Sequence, residues 1–374
     1  MILPDELAFP GRVIFGEGSA QRLLSEAAEF GARGVLAHSG SIEKSGMLAP
    51  ILENKPPSLK VLPFRCVSGE PRLSDVEELR RSAGEFRADW IAAVGGGSVL
   101  DAAKAAAGLL ASDLPAVRHH DGAPLPPSKT PFLAVPTTAG TGSEATSVCV
   151  LTNEKTGVKK SFRHPSLFAR LAILDPSLLR TCPPAVLAAS GMDALTQAVE
   201  SFISKHATWF SDQFASKAVA MIASSLQTVL RNPKQETLEG LMTGSLLAGM
   251  ALSHARLGIV HGLAHPLGAR YNVPHGLTCA VCLPHAIEFN RPAIGSKYEV
   301  LCQLVGADLR DFTVRLTNQL GIRSPFAVLQ VREKDRIVEE TLASGSTKAN
   351  PRPVGREDVL WFLDRIFAPA GRAD

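Results

Sequence analysis

The sequence predicts a two-domain protein in which an α/β domain with a mostly parallel sheet precedes an all-α domain. Its 374 residues exceed the size at which a single hydrophobic core usually stops growing. Short apolar runs alternate with amphipathic segments up to about residue 176, whereas only long segments of helical period follow. We therefore expect residues 1–180 to form a dinucleotide-binding α/β domain and residues 181–374 to form a helical domain.

The first half contains five short apolar runs, each of which predicts a buried strand. These runs are 34–38, 60–64, 90–94, 132–135 and 171–174. Amphipathic segments between the runs predict helices over 42–52, 73–88 and 99–110. Proline and charge predict a surface loop over 112–130, and β-branched residues on either side of 153–157 predict a hairpin over 146–162.

The second half carries long segments of helical period and lacks strand-like runs. The predicted helices are 185–204, 211–230, 236–254, 277–290, 308–320 and 357–367. The first of them starts beside Pro183 and Pro184, because proline fits the first turn of a helix. A further helix is expected to carry His261 and His265, which share one face because they are four residues apart.

The composition disfavours several classes of protein. Apolar residues make up 45% of the chain, charged residues make up 20%, and the net charge is +3. These values are typical of neither a disordered chain nor a nucleic-acid-binding surface. Because the sequence contains neither a secretory signal nor a run of about eighteen apolar residues, we expect a cytoplasmic protein without a membrane or nucleic-acid partner. The six cysteines lack the spacing of a disulfide framework. We expect Cys279 and Cys282 to be buried packing residues rather than a redox or zinc-binding pair.

Two loops rich in glycine and hydroxyl groups predict a dinucleotide site. Gly95, Gly96, Gly97 and Ser98 connect the strand 90–94 to the helix 99–110, and the loop 136–144 follows the strand 132–135. Glycines at a helix N-terminus favour a diphosphate, and loops after the strands of an α/β sheet commonly bind ligands. Either loop taken alone is also compatible with a tight turn that satisfies its own backbone.

Three histidines in the second half predict a metal site. His261, His265 and His275 lie in one apolar, glycine-flanked stretch, and histidine is the commonest protein ligand for borderline metal ions. A helix followed by a turn at His275 would direct two imidazole nitrogens to one point. Asp193, with Gln197 one helical turn later, is the candidate for the missing carboxylate, although an isolated aspartate is more often a first-turn cap.

Together, these motifs resemble the iron-containing, or group III, alcohol dehydrogenase family over nearly the whole chain. They occur in the family's order as 9–18, 95–98 with Asp101 and Lys104, 136–144, 175–176, the Asp193 helix and 261–276. The resemblance implies a dehydroquinate synthase-like architecture, a homodimer, NAD or NADP, and one divalent metal ion, with iron preferred over zinc or manganese. It also implies hydride transfer between the nicotinamide and a small alcohol or aldehyde whose oxygen the metal polarises.

The resemblance implies roles for individual residues as well. Cofactor contacts are implied for Gly96, Gly97, Ser98, Asp101, Thr137, Thr138, Thr141, Ser143 and Lys159. Asp193, His261 and His275 match metal ligands. His265 matches a histidine of the site that is not a ligand; it is the candidate proton relay, with a packed, hydrogen-bonded histidine as the alternative.

The chain departs from the family pattern at two positions. Gln197 stands where the family has a ligating histidine, and an amide oxygen is a weaker ligand than an imidazole. The site then holds iron or zinc weakly with Gln197 or water as fourth ligand, holds another metal such as manganese or magnesium, or holds none; we favour the first. Ser39 replaces an aspartate that repels a 2′-phosphate in NAD-preferring members, so Ser39 and nearby Lys44 favour NADP.

Three other functions are compatible with parts of this pattern. A dehydroquinate synthase-like lyase needs clustered cations for a polyanionic substrate, whereas the segments around the metal motifs offer only Arg256 and Arg270. A metal-free keto-acid reductase of the maleylacetate reductase type would lack Asp193, which is present. A nucleotide-binding protein without catalysis would bind the cofactor but turn over neither alcohols nor aldehydes.

Overall fold

The computed structural model describes residues 1–368, which form two compact units. The units are Ala8–Cys182, and Met1–Leu7 together with the chain from Pro183 onward. The first seven residues were predicted to belong to the α/β domain, but they pack with the helical unit. They do so because the backbone N–H groups of Trp209 and Phe210 donate to the carbonyls of the first two residues.

The α/β unit is built on a six-stranded parallel sheet. The strands in chain order are β1 (Val13–Phe15), β2 (Arg33–His38), β3 (Lys60–Arg65), β4 (Trp90–Gly95), β5 (Phe132–Pro136), β6 (Val148–Asn153), β7 (Val158–Arg163) and β8 (Leu171–Leu174). The order in the sheet is β1-β8-β5-β4-β2-β3, while β6 and β7 form the predicted antiparallel hairpin. The five predicted strands are confirmed, but the sequence did not predict β1.

Both faces of the sheet are buried, which explains why its strands read as continuous apolar runs. Val35, Ala37 and Ile91 belong to the core on one face, whereas Leu36 and Ala92 belong to the core on the other. The unit's helices are α1 (Leu23–Ala27), α2 (Gly40–Lys44), α3 (Leu48–Glu53), α4 (Leu73–Phe86), α5 (Gly97–Leu109) and α6 (Ala116–His120). Short 3-10 helices cover Ser19–Arg22, Ala28–Phe30, Ser143–Ala145, Pro165–Leu167 and Pro176–Thr181.

Two of the predictions for this unit are wrong in detail. The single helix predicted over 42–52 is divided into α2 and α3, because Gly46 adopts a φ of 78°, a left-handed conformation that ends the first helix. The segment 112–130, predicted as a loop, contains α6, whose start is fixed when the backbone N–H of Ala116 donates to the carboxylate of Glu77.

The second unit is helical throughout its regular structure. Its helices are α7 (Pro184–Ile203), α8 (Trp209–Val229), α9 (Gln235–Ala255), α10 (Ile259–Tyr271), α11 (His275–Ile294), α12 (Ser296–Val305), α13 (Leu309–Gln319), α14 (Lys334–Ala343), α15 (Gly345–Ala349) and α16 (Arg356–Ile366), with a 3-10 turn at Pro325–Val328. All six segments predicted by periodicity are helices. The turn predicted at His275 is wrong, since Pro274 ends the preceding loop and His275 is the first residue of α11.

Helix α7 lies at the centre of the helical unit, where α8, α9 and α11 pack around it. It is buried on all sides from Gly191 to Ile203, a stretch that includes an aspartate, a glutamine and a glutamate. Polar side chains in such a position are costly unless they are paired. Among residues 1–368, no single helix is long and apolar enough to cross a membrane; α9 and α10, bent by 105°, meet that criterion only when counted together.

Candidate metal centre and dinucleotide site

Three polar side chains project from one face of α7. Asp193, Gln197 and Glu200 follow each other at spacings of four and three residues, so they lie one above another along the helix. All three are buried, and Asp193 is only 2% exposed. Because α7 begins at Pro184, Asp193 lies in the middle of the helix, and the alternative in which it caps a first turn is wrong.

Two histidines face this carboxylate from neighbouring helices. Nε2 of His261, on α10, lies 3.3 Å from Oδ1 of Asp193, and Nε2 of His275, at the start of α11, lies 3.6 Å from the same oxygen. Despite the short distance, neither Oδ1 of Asp193 nor Nε2 of His261 has a hydrogen-bond partner among residues 1–368. Buried donor atoms that converge without satisfying one another are the arrangement that a bound cation would satisfy.

Glu200 holds His261 in this orientation. Its Oε2 lies 2.6 Å from Nδ1 of His261, and its Oε1 accepts a hydrogen bond of 2.6 Å from the backbone N–H of Val260. A carboxylate on Nδ1 leaves Nε2 as the ring atom available to a metal. Burial alone would lower the pKa of His261, but the close carboxylates of Asp193 and Glu200 outweigh burial and raise it to about 9. Glu200 was not predicted as a site residue, although its spacing from Asp193 places both on one helix face.

Cys279 also lies in this cluster. It follows His275 by one turn of α11, and its Sγ lies 3.7 Å from Nε2 of His275. One ligand atom each from Asp193, His261, His275 and Cys279 lie within 4.8 Å of one another. Cys279 and Cys282 are both buried, as predicted, but Cys279 was not predicted to border the histidines.

Gln197 contacts the other oxygen of the same carboxylate. Its Nε2 donates a hydrogen bond of 3.2 Å to Oδ2 of Asp193, while its Oε1 is buried without a hydrogen-bond partner among the described residues. Burial raises the pKa of Asp193, but the nearby side chains of His275, His261 and Cys279 favour the charged carboxylate more strongly. The pKa of Asp193 therefore lies below its usual value. Asp193 is therefore a carboxylate at which positive charge is favoured. Whether Gln197 binds a metal stays a prediction.

His265 lies beside the cluster and outside the group of four ligand atoms. It is partly buried, and its ring stacks on that of His275 with centroids 5.4 Å apart and an interplanar angle of 27°. The structure thus places His265 next to the candidate metal site. Its predicted role as a proton relay stays a prediction.

In the α/β unit, predicted cofactor residues lie at the carboxyl ends of neighbouring parallel strands. Strands β5, β4 and β2 are parallel neighbours, and Thr137, Gly96 and Ser39 follow their respective carboxyl ends. Strand β3, which follows β2 in the chain, lies on one side of β2, and the next strand, β4, lies on its other side. Such a reversal of strand order is where open α/β sheets bind ligands.

The two glycine-rich loops pack directly against each other. A Cβ on Gly97 would lie 2.5 Å from Cγ2 of Thr141, so any larger residue at this position would push the loops apart. A Cβ on Gly96 would meet Cγ2 of Thr138 at 3.4 Å. Gly96 is the N-cap of α5, and Ser98 is its second residue, so the N-terminus of a thirteen-residue helix opens at these loops.

Asp101, Lys104 and Ser143 form a buried network beneath the loops. Oδ1 of Asp101 accepts a hydrogen bond of 2.6 Å from the hydroxyl of Ser143, and Oδ2 accepts one of 2.9 Å from the backbone N–H of Val150. The ammonium of Lys104 donates to carbonyl oxygens of Ser143, Thr146 and Val148 at 2.6–2.9 Å. Burial raises the pKa of Asp101 even though Lys104 and these hydrogen bonds oppose the shift. Two of the predicted cofactor contacts, Asp101 and Ser143, thus bind each other.

The remaining predicted cofactor residues have protein partners as well. Lys159, on β7, forms an ion pair of 2.8 Å with Glu70. Ser39 is the N-cap of α2, where its hydroxyl accepts from the backbone N–H of Ile42 at 3.3 Å. Beside Ser39, the guanidinium of Arg65 packs on Gly40, with Nη2 2.8 Å from the position that a Cβ on residue 40 would occupy. The sequence analysis did not single out Arg65.

Comparisons with known proteins agree with this arrangement. The model of the family "iron-containing alcohol dehydrogenase" matches residues 10–176, and the model of its C-terminal region matches residues 187–367. The probable alcohol dehydrogenase EutG of Salmonella typhimurium is 41% identical over 257 residues, which cover 67% of this chain and 64% of that protein. Lactaldehyde reductase of Escherichia coli is 30% identical over 368 residues, covering 92% of this chain and 95% of that protein.

Solved structures show the same likeness over almost the whole chain. The crystal structure of sulfoacetaldehyde reductase from Bifidobacterium kashiwanohense, in complex with NAD+, is 26% identical and has a TM-score of 0.89. It covers 98% of this chain, which in turn covers 99% of that structure. The fold and both family models therefore agree, and the chain belongs to the iron-containing alcohol dehydrogenase family.

Proposed function

We propose that the protein is an NAD(P)-dependent alcohol dehydrogenase or aldehyde reductase that requires one divalent metal ion. The observation that carries the proposal is the convergence of Asp193, His261 and His275 in the helical unit. There Oδ1 of Asp193 and Nε2 of His261 are buried and face each other without a hydrogen-bond partner among the described residues. A carboxylate and two imidazoles are the ligand types of catalytic metal sites. The metal, when bound, supplies a Lewis acid that polarises the oxygen of the substrate.

The residues of the α/β unit are proposed to bind the dinucleotide. Gly96, Gly97 and Ser98 present the N-terminus of α5 to the diphosphate. Thr137, Thr138 and Thr141 offer hydroxyls to the ribose and the nicotinamide. Asp101 and Ser143 hold the loops together through their mutual hydrogen bond, and Lys159 lies on the adjoining hairpin. The nicotinamide supplies or accepts the hydride.

His265 is proposed to move the substrate proton. It stacks on His275 and lies outside the four converging ligand atoms, so it borders the site without belonging to the ligand set. Glu200 acts through His261, whose Nε2 it keeps directed at Asp193.

We propose that NADP is preferred over NAD. Ser39 places a hydroxyl, rather than a carboxylate, at the end of β2, and the guanidinium of Arg65 lies against the adjacent Gly40. A nearby arginine is the usual means of accommodating a 2′-phosphate. Replacing Arg65 with glutamine should lower the ratio of kcat/KM for NADPH to that for NADH by at least about tenfold, which is roughly 1.4 kcal/mol. Exposed Arg81 provides the matched control, and a strong NADH preference of the unmodified protein would refute the proposal.

The substrate is proposed to be a short, weakly charged alcohol or aldehyde. The names of the relatives, lactaldehyde reductase and sulfoacetaldehyde reductase, refer to small aldehydes. Around the histidines, Arg270 is bound to Glu333 and Glu340 on the surface, so it is not offered to a polyanion. The metal-free keto-acid reductase is disfavoured because Asp193 is retained.

We further propose a cytoplasmic homodimer. Strand β1 lies at the edge of the sheet, and its Val13 and Phe15 side chains are 37% and 46% exposed. An edge strand with exposed apolar side chains is a ready site for pairing with a second copy. Sedimentation of the protein at several concentrations tests the proposal, and a monomer at all of them would contradict it.

The activity is tested with protein freed of metal and then reloaded in parallel with Fe²⁺, Zn²⁺ or Mn²⁺. We expect aldehyde-dependent oxidation of NADPH across a panel of short aldehydes in at least one metal form, and loss of turnover in Asp193→Asn. Dinucleotide binding without turnover in every metal form would instead support a binding protein that lacks catalysis. Turnover that is equal with and without metal would support the metal-free reductase.

A further inference from the structure

We propose that the fourth metal ligand in this chain is the thiolate of Cys279, and that Gln197 positions Asp193 from outside the coordination sphere. The inference rests on the metal-dependent function proposed above. It assigns the site one carboxylate, two imidazoles and one thiolate. Such a set favours zinc over iron(II), because thiolate and imidazole suit Zn²⁺, which can expand to a fifth position when a substrate oxygen binds.

The geometry of α11 places the thiol where a fourth ligand is needed. His275 and Cys279 are four residues apart on one helix, so both side chains point to the same side. The Sγ atom lies 3.7 Å from Nε2 of His275, and the four ligand atoms all fall within 4.8 Å of one another. The separations of 3.3, 3.6 and 3.7 Å among these atoms match ligands that share one ion at the usual bond lengths of about 2.0–2.3 Å.

Gln197 contacts the carboxylate through its amide nitrogen. Its Nε2 bonds to Oδ2 of Asp193, whereas both histidines approach Oδ1. A glutamine in this position orients the carboxylate while Oδ1 turns to the metal, which is the role of an outer hydrogen-bond partner. Its neutral amide oxygen is also a poorer ligand for zinc than a thiolate.

Coordination by Cys279 requires a deprotonated sulfur. When the metal binds, the S–H bond breaks, the electron pair stays on sulfur to form the bond to the metal, and the proton leaves to solvent or buffer. No oxidant or reductant takes part. Cys282, one turn later on α11, is equally buried but lies outside the group of four, so it is the matched control.

The test uses Co²⁺ bound to the full-length protein after removal of native metal. A cobalt–thiolate bond gives an intense charge-transfer absorption in the near ultraviolet, whereas nitrogen and oxygen ligands do not. We expect this band in the unmodified protein, in Cys282→Ser and in Gln197→Leu, and its loss in Cys279→Ser. Loss of an outer hydrogen-bond partner typically lowers metal affinity by roughly 10–100-fold. We expect the metal affinity of Cys279→Ser to fall by more than this.

The outcomes separate this inference from the proposed function. Cobalt bound with visible d–d absorption but without a charge-transfer band in the unmodified protein would refute the thiolate and leave metal-dependent activity intact. A band that persists in Cys279→Ser would refute it as well. Failure of the unmodified protein to bind cobalt, zinc or iron would refute both. The unmodified spectrum needs no variant, so a Cys279→Ser protein that fails to fold does not remove the test.

Discussion

Replacing Glu200 with glutamine should weaken metal binding while leaving the ligands themselves unchanged. Glu200 is buried, and its two oxygens accept from the backbone N–H of Val260 and face Nδ1 of His261, both at 2.6 Å. An amide has only one acceptor oxygen. Either the backbone N–H of Val260 or Nδ1 of His261 would therefore face an NH₂ group, which cannot accept its hydrogen bond. An unsatisfied buried donor costs about 1–3 kcal/mol. Loss of the outer partner of a ligating histidine typically lowers metal affinity about 10–100-fold, or roughly 1.4–2.7 kcal/mol.

The affinity is best measured by competition with a chromophoric chelator, using Zn²⁺ at fixed pH. Glu236→Gln removes an exposed carboxylate from the start of α9 and is the control for the loss of one negative charge. We expect Glu200→Gln to lose at least about tenfold in affinity, within the range for outer partners, and Glu236→Gln to lose almost none. Equal affinities for Glu200→Gln and the unmodified protein would refute the role assigned to Glu200.

Three further predictions address the pH dependence, the loops and the buried lysine. Because the pKa of His261 is raised from 6.5 to about 9 in the metal-free fold, its contribution to stability is complete below pH 6.5 and is lost as the pH rises through 9. Denaturant titrations should therefore show falling stability of the metal-free protein over this range, while the apparent metal affinity rises as the competing proton is lost. Gly97→Ala places a Cβ 2.5 Å from Cγ2 of Thr141 and should weaken dinucleotide binding in a fluorescence titration. Gly84→Ala is the control, because Gly84 is exposed in α4 and nothing lies within 4 Å of its Cβ position. This control should stabilise the fold by about 0.5–1 kcal/mol. Lys104→Met strands several buried acceptors and should lower the free energy of unfolding by more than about 3 kcal/mol; a loss below 1 kcal/mol would contradict the network described here.

The sheet was predictable because its inner strands are buried on both faces and therefore form continuous apolar runs. β8 was predicted to the residue, and β2, β4 and β5 to within one residue at either end. β1 was missed because it has three residues, of which two are exposed at the sheet edge. The break between α2 and α3 was missed because the apolar periodicity continues across Gly46, whose φ of 78° ends α2.

The metal site was predictable only in part, because α11 begins at His275, two residues before its predicted start. Asp193, His261 and His275 were identified from their residue types and from the family resemblance, and the structure brings their side chains together. Cys279 was assigned to packing because Cys279 and Cys282 lie in an apolar run with the spacing of one helix face, and His275 was predicted to lie in a turn outside that helix. Glu200 was missed because its partner His261 is remote in sequence, and such pairing depends on how α7 and α10 pack.

The most direct test of the central claim is the metal content of protein purified without chelator. Inductively coupled plasma mass spectrometry should find about one divalent ion per chain in the unmodified protein and almost none in Asp193→Asn, since removing one buried ligand charge abolishes tight binding. A folded, unmodified protein that carries no metal and takes none up, or an Asp193→Asn variant that retains a full equivalent, would contradict the claim that Asp193, His261 and His275 hold a metal ion.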